Sequence, residues 1–565
     1  MAVCRGQRPF ISGLFIFSST LRGAVTAAGA ALLALALAGA ALGATTGKIA
    51  GTVTDPSGGG IPMVSISLTN TGQGTATKVT ADEHGDYIFP SVPVGTYDIL
   101  FSAKGFRSEK RTGLVVDTNA DISQNMTLQL SEQTQQVTVS DTAADVEVHV
   151  ETASTQMGDV VAGKTMTSVA LNGRSYTDLL ALQPGIVPMS TQTGDSVIMA
   201  GASVQIQPSG GLNAGNQSIS GQREDANGYL VNGGDVKELM NGGTTIIPNL
   251  DSIAEFRVLT NNFDAEFGNY SGGIVNVITK SGENNVHGSA FEFLRNTDLD
   301  ARNFFSPDRS FYRQNQFGGT VGGPIRKNKL FFFGDYQGTR TDQGIDTGLI
   351  AVPSVQQRTG DLSSIAGQLT GTVSGPYIAN ILQQKLNYGV TAGEPYYFPG
   401  CTTPALCVFP NAVIPQSAWS SPAQHLLQYI PQPNVDPDTF SSGAGAQTTR
   451  DDKGSFRLDA NTDHYGTFSA YYFFDDFTVN NPYPSGQGGA TVPGFNALNL
   501  GRGQLINFTH TKTIGGTSVN EFHLSFMRDA NNVGQPQGGV GPSLASQGFV
   551  TGAHSTGIFP LDTSI

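Results

Sequence analysis

Residues 247–288 have the sequence IPNLDSIAEFRVLTNNFDAEFGNYSGGIVNVITKSGENNVHG, and this stretch says most about the fold. It contains a short helix-like run that supplies Ile253, Phe256 and Val258, followed by a turn rich in Asn, Asp and Gly. The segment GGIVNVITKSG at 272–282 then carries aliphatic residues on both faces of an extended chain. A strand with that composition is typically buried on both sides. The stretch therefore predicts a short helix, a turn and a buried strand.

Downstream of residue 283, apolar and polar residues alternate along about seven strands. In SVNEFHLSFMRD, Phe522, Leu524 and Phe526 share one face and polar residues share the other. QLINFTHTKT and GSFRLDA alternate in the same way, and GTFSAYYFFDDF and KNKLFFFGDYQGTR are rich in aromatic residues. Strands of about ten residues with one apolar and one polar face are typical of a transmembrane barrel. The strands of a soluble sandwich also alternate, but the export signal at the N-terminus, described below, favours the barrel.

A long segment, about 341–452, contains few recognisable strands. Membrane barrels have short periplasmic turns and long extracellular loops, so we expect this segment outside the cell. Cys401 and Cys407 lie within it, six residues apart. In an exported protein this spacing predicts a local disulfide, with two unpaired thiols as the alternative. A C-x5-C pair without a nearby His is a poor zinc site.

The N-terminus has the pattern of a cleaved export signal over residues 1–44. Arg5, Arg8 and Arg22 precede the uncharged, Ala- and Leu-rich run 24–42, and small residues follow. A permanent membrane helix is the alternative, but no basic stop-transfer cluster follows the run. After residue 44 no comparable apolar run exists, so a membrane domain must be a barrel.

Residues 45–131 predict a small β-sandwich. Segments such as KIAGTVTD and VSISLTN alternate with a period of two, and DPSGGG and DEHGDY contain the residues that tight turns need. Strands at this spacing predict one domain of roughly seven strands.

The composition narrows the function classes. The net charge is −14, which gives no basic face for nucleic acid. Only 13% of residues are charged, whereas Gly accounts for 71 of 565 and Phe for 32. Low charge with many Gly and aromatic residues fits a mainly β protein with many turns.

The sandwich region resembles a known family. GTVTDPSGGGIPMVSISLTNTG, TADEHGDYIFPSVPVGTYDILFSAKGF and MTLQL are similar to the carboxypeptidase regulatory-like domain, which has a prealbumin-like, carbohydrate-binding-like fold. The domain is non-catalytic, and no His in the chain begins H-x-x-E or H-E-x-x-H. The resemblance implies a spacer or binding module without proteolysis.

A second resemblance covers the middle of the chain. LNGRSYTDLLALQPGIV, SISGQREDANGYLVNGGDVKE and the opening stretch resemble plug domains of TonB-dependent outer-membrane receptors, in the Oar-like branch that carries the sandwich in front. The resemblance implies an α/β plug over residues 151–282, lodged inside a barrel whose first part is residues 283–565. The family uses about 22 strands, so we expect the chain to stop within the barrel.

The plug resemblance also implies a polar surface against the polar lumen of the barrel. The candidates for this plug–barrel interface are Arg174, Arg223, Glu224, Asp225 and Asn227. An ordinary exposed surface is the alternative for each.

Residues 132–150 are expected to be a linker containing a TonB box, the extended segment that pairs with a TonB-type energy-coupling protein in the periplasm. Val137, Thr138 and Val139 in QQVTVS fit by position. A free strand edge can add to a partner's sheet. A last sandwich strand or a plain linker are the alternatives.

The resemblance implies an energised outer-membrane transporter for a bulky ligand, with carbohydrate or peptide favoured over a siderophore. Its expected surroundings are outer-membrane lipid, with the sandwich and the plug N-terminus facing the periplasm. The alternative function is a surface structural or adhesion protein anchored by the barrel. No enzyme, metal or cofactor is expected. GDVVAGKT at 158–165 matches the P-loop pattern, but it follows a polar run and not a buried strand, and no G-x-S-x-G motif occurs.

Overall fold

The computed structural model describes residues 45–130, 136–140, 156–169, 171, 174–189, 216–237, 243–301, 309, 311–345, 349–441, 445–462, 464–483, 496–514 and 518–534. The expected export signal lies outside these residues. No helix within them is long and apolar enough to cross a membrane.

The first unit is a two-sheet sandwich. Its strands are β1 (Thr46–Thr54), β2 (Ser65–Asn70), β3 (Ala76–Thr80), β4 (Asp86–Pro93), β5 (Gly95–Ser102), β6 (Ser108–Val116), β7 (Asp121–Ser123), β8 (Met126–Thr127) and β9 (Gln136–Ser140). One sheet has the order β4-β1-β7, with β8 also on β1, and the other has the order β3-β2-β5-β6-β9.

The sandwich core follows from the alternation seen in the sequence. Ile49 and Val53 on β1 face Ile66 on β2 and Phe101 on β5, and all four side chains are fully buried. Gly85 makes the DEHGDY turn possible, because its φ is +83° and a Cβ there would lie 2.4 Å from the backbone oxygen of Val53. The period of two therefore forms both sheets, and the glycine lets the turn between β3 and β4 pass close to β1.

The second unit covers the described residues of the segment expected to form a plug, and it is called the plug below; it is built on a five-stranded sheet of order β10-β15-β16-β13-β14. Its elements are β10 (Met157–Ala162), α1 (Gly163–Ser168), α2 (Thr177–Leu180), β11 (Ile186–Met189), β12 (Asn216–Ile219), β13 (Gly228–Val231), β14 (Gly234–Asp235), β15 (Ile253–Asn261) and β16 (Ile274–Thr279). β13 and β16 are parallel and the other pairs are antiparallel, while β11 and β12 form a separate hairpin. Short 3₁₀ turns lie at Glu224–Ala226, Leu250–Ser252 and Ala265–Phe267.

The prediction of a short helix around Ile253 and Val258 is wrong. Only the 3₁₀ turn Leu250–Ser252 is helical there, and Ile253–Asn261 is strand β15. β15 pairs with β10 on one side and β16 on the other, so its backbone groups are satisfied by the sheet. Ile, Phe and Val favour a strand once both neighbours are present. β16 has all six residues buried, as its composition predicts.

The third unit is a wall of seven long antiparallel strands in the order β17-β18-β19-β22-β23-β24-β25. These strands are β17 (His287–Asn296), β18 (Tyr312–Arg326), β19 (Leu330–Ile345), β22 (Gly445–Thr462), β23 (Gly466–Asn481), β24 (Ala497–Ile514) and β25 (Ser518–Gly534). A 3₁₀ turn, Thr297–Leu299, follows β17.

The two faces of the wall differ as the alternation predicts. The outer face exposes large apolar side chains, among them Phe456, Tyr472, Ile506, Phe522, Leu524 and Phe526. The inner face is buried and largely polar, and its members include Gln337, Thr339, Asp451, Asp475 and Asn507. A wall with an apolar outside and a polar inside is the arrangement of a membrane barrel.

The long segment between β19 and β22 forms a folded lobe over residues 349–441. Its elements are β20 (Leu349–Ala351), α3 (Gly375–Leu386), α4 (Ser421–Leu426) and β21 (Thr439–Ser441), with 3₁₀ turns at Gln357–Thr359, Ser363–Gln368, Pro410–Ala412, Gln416–Ala418 and Leu427–Tyr429. β20 pairs with β21 at the base of the lobe. Its core includes Val373, Leu382, Val408 and Phe409.

Candidate functional site

The plug packs directly against the inner face of the wall. One apolar cluster joins plug residues Val231 and Ile246 to wall residues Tyr471, Phe473 and Leu505, all of them buried. The plug and the wall therefore share one core, and this interface is the candidate functional site.

Polar contacts fix the position of the plug within this interface. The Asn507 side chain of β24 donates to the Val231 backbone oxygen at 2.7 Å. Arg457 of β22 donates to the backbone oxygen of Thr279 at 2.7 Å. The Asn249 amide of the plug donates to the Asp335 carboxylate of β19. Each contact joins the end of a plug element to a different wall strand.

Arg174 is the predicted interface residue that the structure brings to the wall. Its buried guanidinium pairs with Asp251 inside the plug. The same group lies 4.4 Å from the ring centre of Phe291 and 4.3 Å from that of Phe293, both on β17. Cation–π contacts of this kind strengthen when the cation is removed from water. Arg174 thus binds a plug carboxylate and two wall rings at once.

The other predicted interface residues have different positions. Arg223 and Asp225 are exposed, and Glu224 lies in the 3₁₀ turn between them. Asn227 is fully buried, and its amide donates to Gln217 at 2.6 Å and accepts from the Gly273 N–H at 3.0 Å. This corrects the surface position expected for Asn227, because its amide is used to hold plug segments together.

A second interface, not expected from the sequence, joins the sandwich to the plug. The turn after β6 presents Thr118, whose N–H donates to Glu255 Oε1 at 2.6 Å and whose oxygen accepts from Arg257 at 2.9 Å. Glu255, Arg257 and Asp117 are all buried. Burial, together with the neighbouring Asp117 carboxyl group, raises the pKa of Glu255 well above its usual range. The two charged residues within the otherwise apolar run IAEFRVL are the feature of the sequence that could have indicated this interface.

The sandwich also contacts the wall where the strands are joined by short turns. Gln73 donates to Ser281 Oγ at 3.0 Å and accepts from the Asn461 amide at 3.1 Å. Ser91 donates to Glu521 of β25 at 2.7 Å. The sandwich therefore lies at the short-turn end of the wall, and the lobe lies at the opposite end.

The candidate TonB box is an edge strand of the sandwich. Val137, Thr138 and Val139 lie on β9, which pairs in parallel with β6 and ends the order of its sheet. The structure therefore has the arrangement of the last-strand alternative. In that arrangement β9 has one partner strand among the described residues.

Cys401 and Cys407 are joined by a disulfide in the lobe, with their Cα atoms 6.1 Å apart and both side chains buried. The described residues contain no group of three or more His, Cys, Asp or Glu that could hold a metal ion. The P-loop match begins within strand β10 and ends in the six-residue helix α1, so it does not form a phosphate-binding loop between a strand and a helix.

Comparison with known families gives two matches. Residues 48–129 match the carboxypeptidase regulatory-like domain. Residues 278–563, half of the chain, match the outer membrane beta barrel domain. The chain belongs to the outer-membrane β-barrel family.

This outer-membrane barrel chain is 27% identical over 323 residues to the TonB-dependent transporter Oar of Myxococcus xanthus. The matched region covers 54% of this chain and 28% of that relative, so the chain spans less than a third of the relative's length. The resemblance to the Oar-like branch and the outer-membrane location are confirmed.

Solved structures with similar folds include the outer membrane transporter YddB from Escherichia coli, at 8% identity and a TM-score of 0.38 over 65% of this chain and 38% of that one. A ferric enterobactin receptor mutant of Pseudomonas aeruginosa is similar at 12% identity and a TM-score of 0.34, over 66% of this chain and 41% of that one.

Proposed function

We propose that this protein takes part in energised import of a bulky ligand across the outer membrane, as a TonB-dependent transporter. The observation that carries the proposal is the plug packed on the inner face of the wall, with Arg174 between Asp251 and the rings of β17. A plug in that position blocks the lumen, so a large ligand passes only when the plug moves. In this proposal a partner protein supplies the energy for that movement.

The proposed partner is a TonB-type energy-coupling protein in the periplasm. β9 supports this proposal because an edge strand can exchange one sheet for another, with main-chain hydrogen bonds giving the affinity. In this proposal Val137, Thr138 and Val139 leave β6 and pair with the partner. The sandwich then holds the coupling segment at rest.

The proposed ligand class is carbohydrate or peptide. The match of residues 48–129 to a domain with a carbohydrate-binding-like fold supports this choice. The relative in Myxococcus xanthus is named only as a transporter, so the ligand is an inference from the sandwich.

A reversible lock tests the coupling step. Lys110 and Thr138 are partners in the β6–β9 register, so replacing both by Cys allows a disulfide across the pair. We expect the oxidised double variant to bind ligand at the cell surface but to lose energised uptake, and a reductant to restore uptake. Because reduction reverses the lock in the same protein, recovered uptake shows that the loss does not come from a misfolded domain.

Each single-Cys variant and the native chain treated with the same reductant serve as controls. Full uptake by the oxidised double variant would exclude β9 as the coupling segment. Ligand retention without uptake in the native protein, in cells with and without a membrane potential, would instead favour the surface adhesion function.

A further inference from the structure

The outer face of the wall carries a row of charged side chains at one level. The row consists of Arg340 on β19, Arg450 and Asp452 on β22, Asp476 on β23, Arg502 on β24 and Arg528 on β25. Asp452 is paired in register with Asp476, and Asp476 with Arg502. Four of these residues line a cleft of 640 Å³ that opens on the outer face.

The height of the row places it at the edge of the apolar band. Asp452 lies ten residues before Thr462, where β22 ends at a short turn. Ten residues of a strand tilted by about 45° rise roughly 23 Å, close to the ~25 Å height of the apolar band of a membrane barrel. The exposed rings and aliphatic side chains of the outer face, such as Phe456 and Ile506, lie between that turn and the row. The row therefore lies at head-group level, at the lobe end of the wall.

After the ion pairs within the row are counted, the row keeps a net positive charge and N–H donors without an acceptor among the described residues. Asp452 accepts from Arg340 and Arg450, each at 2.6 Å, and Asp476 accepts two hydrogen bonds from Arg502, at 2.6 and 2.5 Å. Arg528 donates to Gln504 at 3.2 Å, so four guanidinium groups face two carboxylates.

Two of these arginines are well placed to bind a further anion. Arg450 and Arg502 are 68% and 54% exposed, and both line the cleft. Among the described residues, Arg450 uses only its Nε–H and Arg502 keeps its Nη1 group free, whereas a guanidinium has five N–H donors.

We propose that this row binds the phosphate groups of lipids in the outer leaflet. Barrels have short turns on the periplasmic side, so the lobe end of the wall meets the outer leaflet. Guanidinium groups bind phosphate through paired hydrogen bonds, and these bonds are strong where the apolar band excludes water on one side. The acyl chains of such a lipid would lie on the apolar side chains directly below the row. The binding site is separate from the lumen and from the plug.

The test measures lipid retention by the full chain purified from outer membranes in a non-ionic detergent. Native mass spectrometry counts the bound copies of a bis-phosphorylated lipid A and of its dephosphorylated form. We expect the native protein to retain the phosphorylated lipid, and the Arg450→Gln/Arg502→Gln variant to retain it about tenfold less. Lys512→Gln is the matched control, because Lys512 is on the outer face of β24 at the short-turn end.

A second variant separates lipid binding from folding. Asp476→Asn removes a carboxylate from the row and should raise retention, which a folding defect cannot do. Equal retention by the native and the double-Gln proteins, or equal retention of the two lipid forms, would overturn the proposal. Displacement of the lipid by millimolar inorganic phosphate would overturn the lipid assignment in favour of a free-anion site.

Discussion

Two arginines of the plug, Arg174 and Arg223, have the same chemistry and opposite surroundings. Arg174 is buried between Asp251 and two rings of the wall, whereas Arg223 is exposed. The pair therefore provides a matched test of which plug surface contacts the wall.

We predict that Arg174→Ala weakens the attachment of the plug by about 3 kcal/mol, because it removes an ion-pair partner of the partly buried Asp251 and the contact with two wall rings. Arg223→Ala should change the free energy of plug unfolding by less than about 0.5 kcal/mol. Amide hydrogen exchange of β15 and β16 in the membrane-embedded protein measures both. Equal effects of the two substitutions would contradict the assigned interface.

Glu255 gives the joint between sandwich and plug a pH dependence. Its pKa is raised, so the folded state holds the proton more tightly than the unfolded state. The free energy of unfolding therefore falls as pH rises from about 4.5, the ordinary pKa of the group, toward the raised value. The joint should be strongest in mild acid.

We predict that hydrogen exchange in strand β15 becomes faster, relative to the Glu255→Gln variant, as pH rises through that window, after correction for the intrinsic rate. The Gln variant has no proton to lose and should show no such trend. A flat profile in the native protein, parallel to that of the variant, would show that Glu255 does not titrate at the joint.

At the scale of elements, the β13–β14 hairpin approaches the wall more closely than a side chain allows. A Cβ at Gly234 would lie 2.5 Å from both Asn507 Oδ1 and Ser525 Oγ. Ser525 Oγ donates a hydrogen bond to Asn507 Oδ1 at 2.7 Å, and the Asn507 amide nitrogen donates to the Val231 backbone oxygen. The glycine therefore permits a contact between the plug and both β24 and β25.

We predict that Gly234→Ala breaks this contact and destabilises the plug by about 1–3 kcal/mol, the usual cost of overpacking. Gly367→Ala in the lobe is the control, because no atom lies within 4 Å of its Cβ position. Thermal unfolding followed by plug hydrogen exchange measures the effect. Unchanged protection of β13 in the Gly234 variant would refute the close approach.

The lobe is stabilised in part by a disulfide bond. Its disulfide closes a loop between Cys401 and Cys407, and such a short loop is worth about 2 kcal/mol in the chain-entropy model. Replacing both Cys by Ser should lower the unfolding temperature of the lobe and leave the wall unchanged. Proteolysis of the lobe at rising temperature is the measurement, with Cys mass labelling of the native chain as the check that the bond forms.

The sequence predicts these elements unequally, for physical reasons. Strands of the wall have one lipid-facing and one inward side, so their period of two is visible in single segments such as 518–529. β15 was misread because its neighbours on both sides come from elsewhere in the chain, and local spacing does not show them. The lobe has mixed turns and short helices with no single period, so its core could not be predicted.

At the scale of the whole molecule, the order of sandwich, plug and wall could be predicted from the chain, but the joints between them could not. Thr118 and Glu255 are 137 residues apart, and Gln73 and Asn461 are 388 apart. Nothing in the sequence near either residue indicates the other. Contacts at that separation arise only when three folded units meet, so the structure was needed to find them.

The joint at Thr118 also sets the route that a mechanical pull would take. Until β9 leaves β6, tension on β9 passes to β6 through their parallel ladder, in which all five paired residues would have to shear together. β6 ends at Val116, two residues before Thr118, and Thr118 is bonded to Glu255 and Arg257 on β15. Traction at the sandwich edge would therefore reach an inner strand of the plug sheet through the Thr118 contacts. The contacts of Gln73 and Ser91 at the rim of the wall would resist lateral displacement of the sandwich during such a pull.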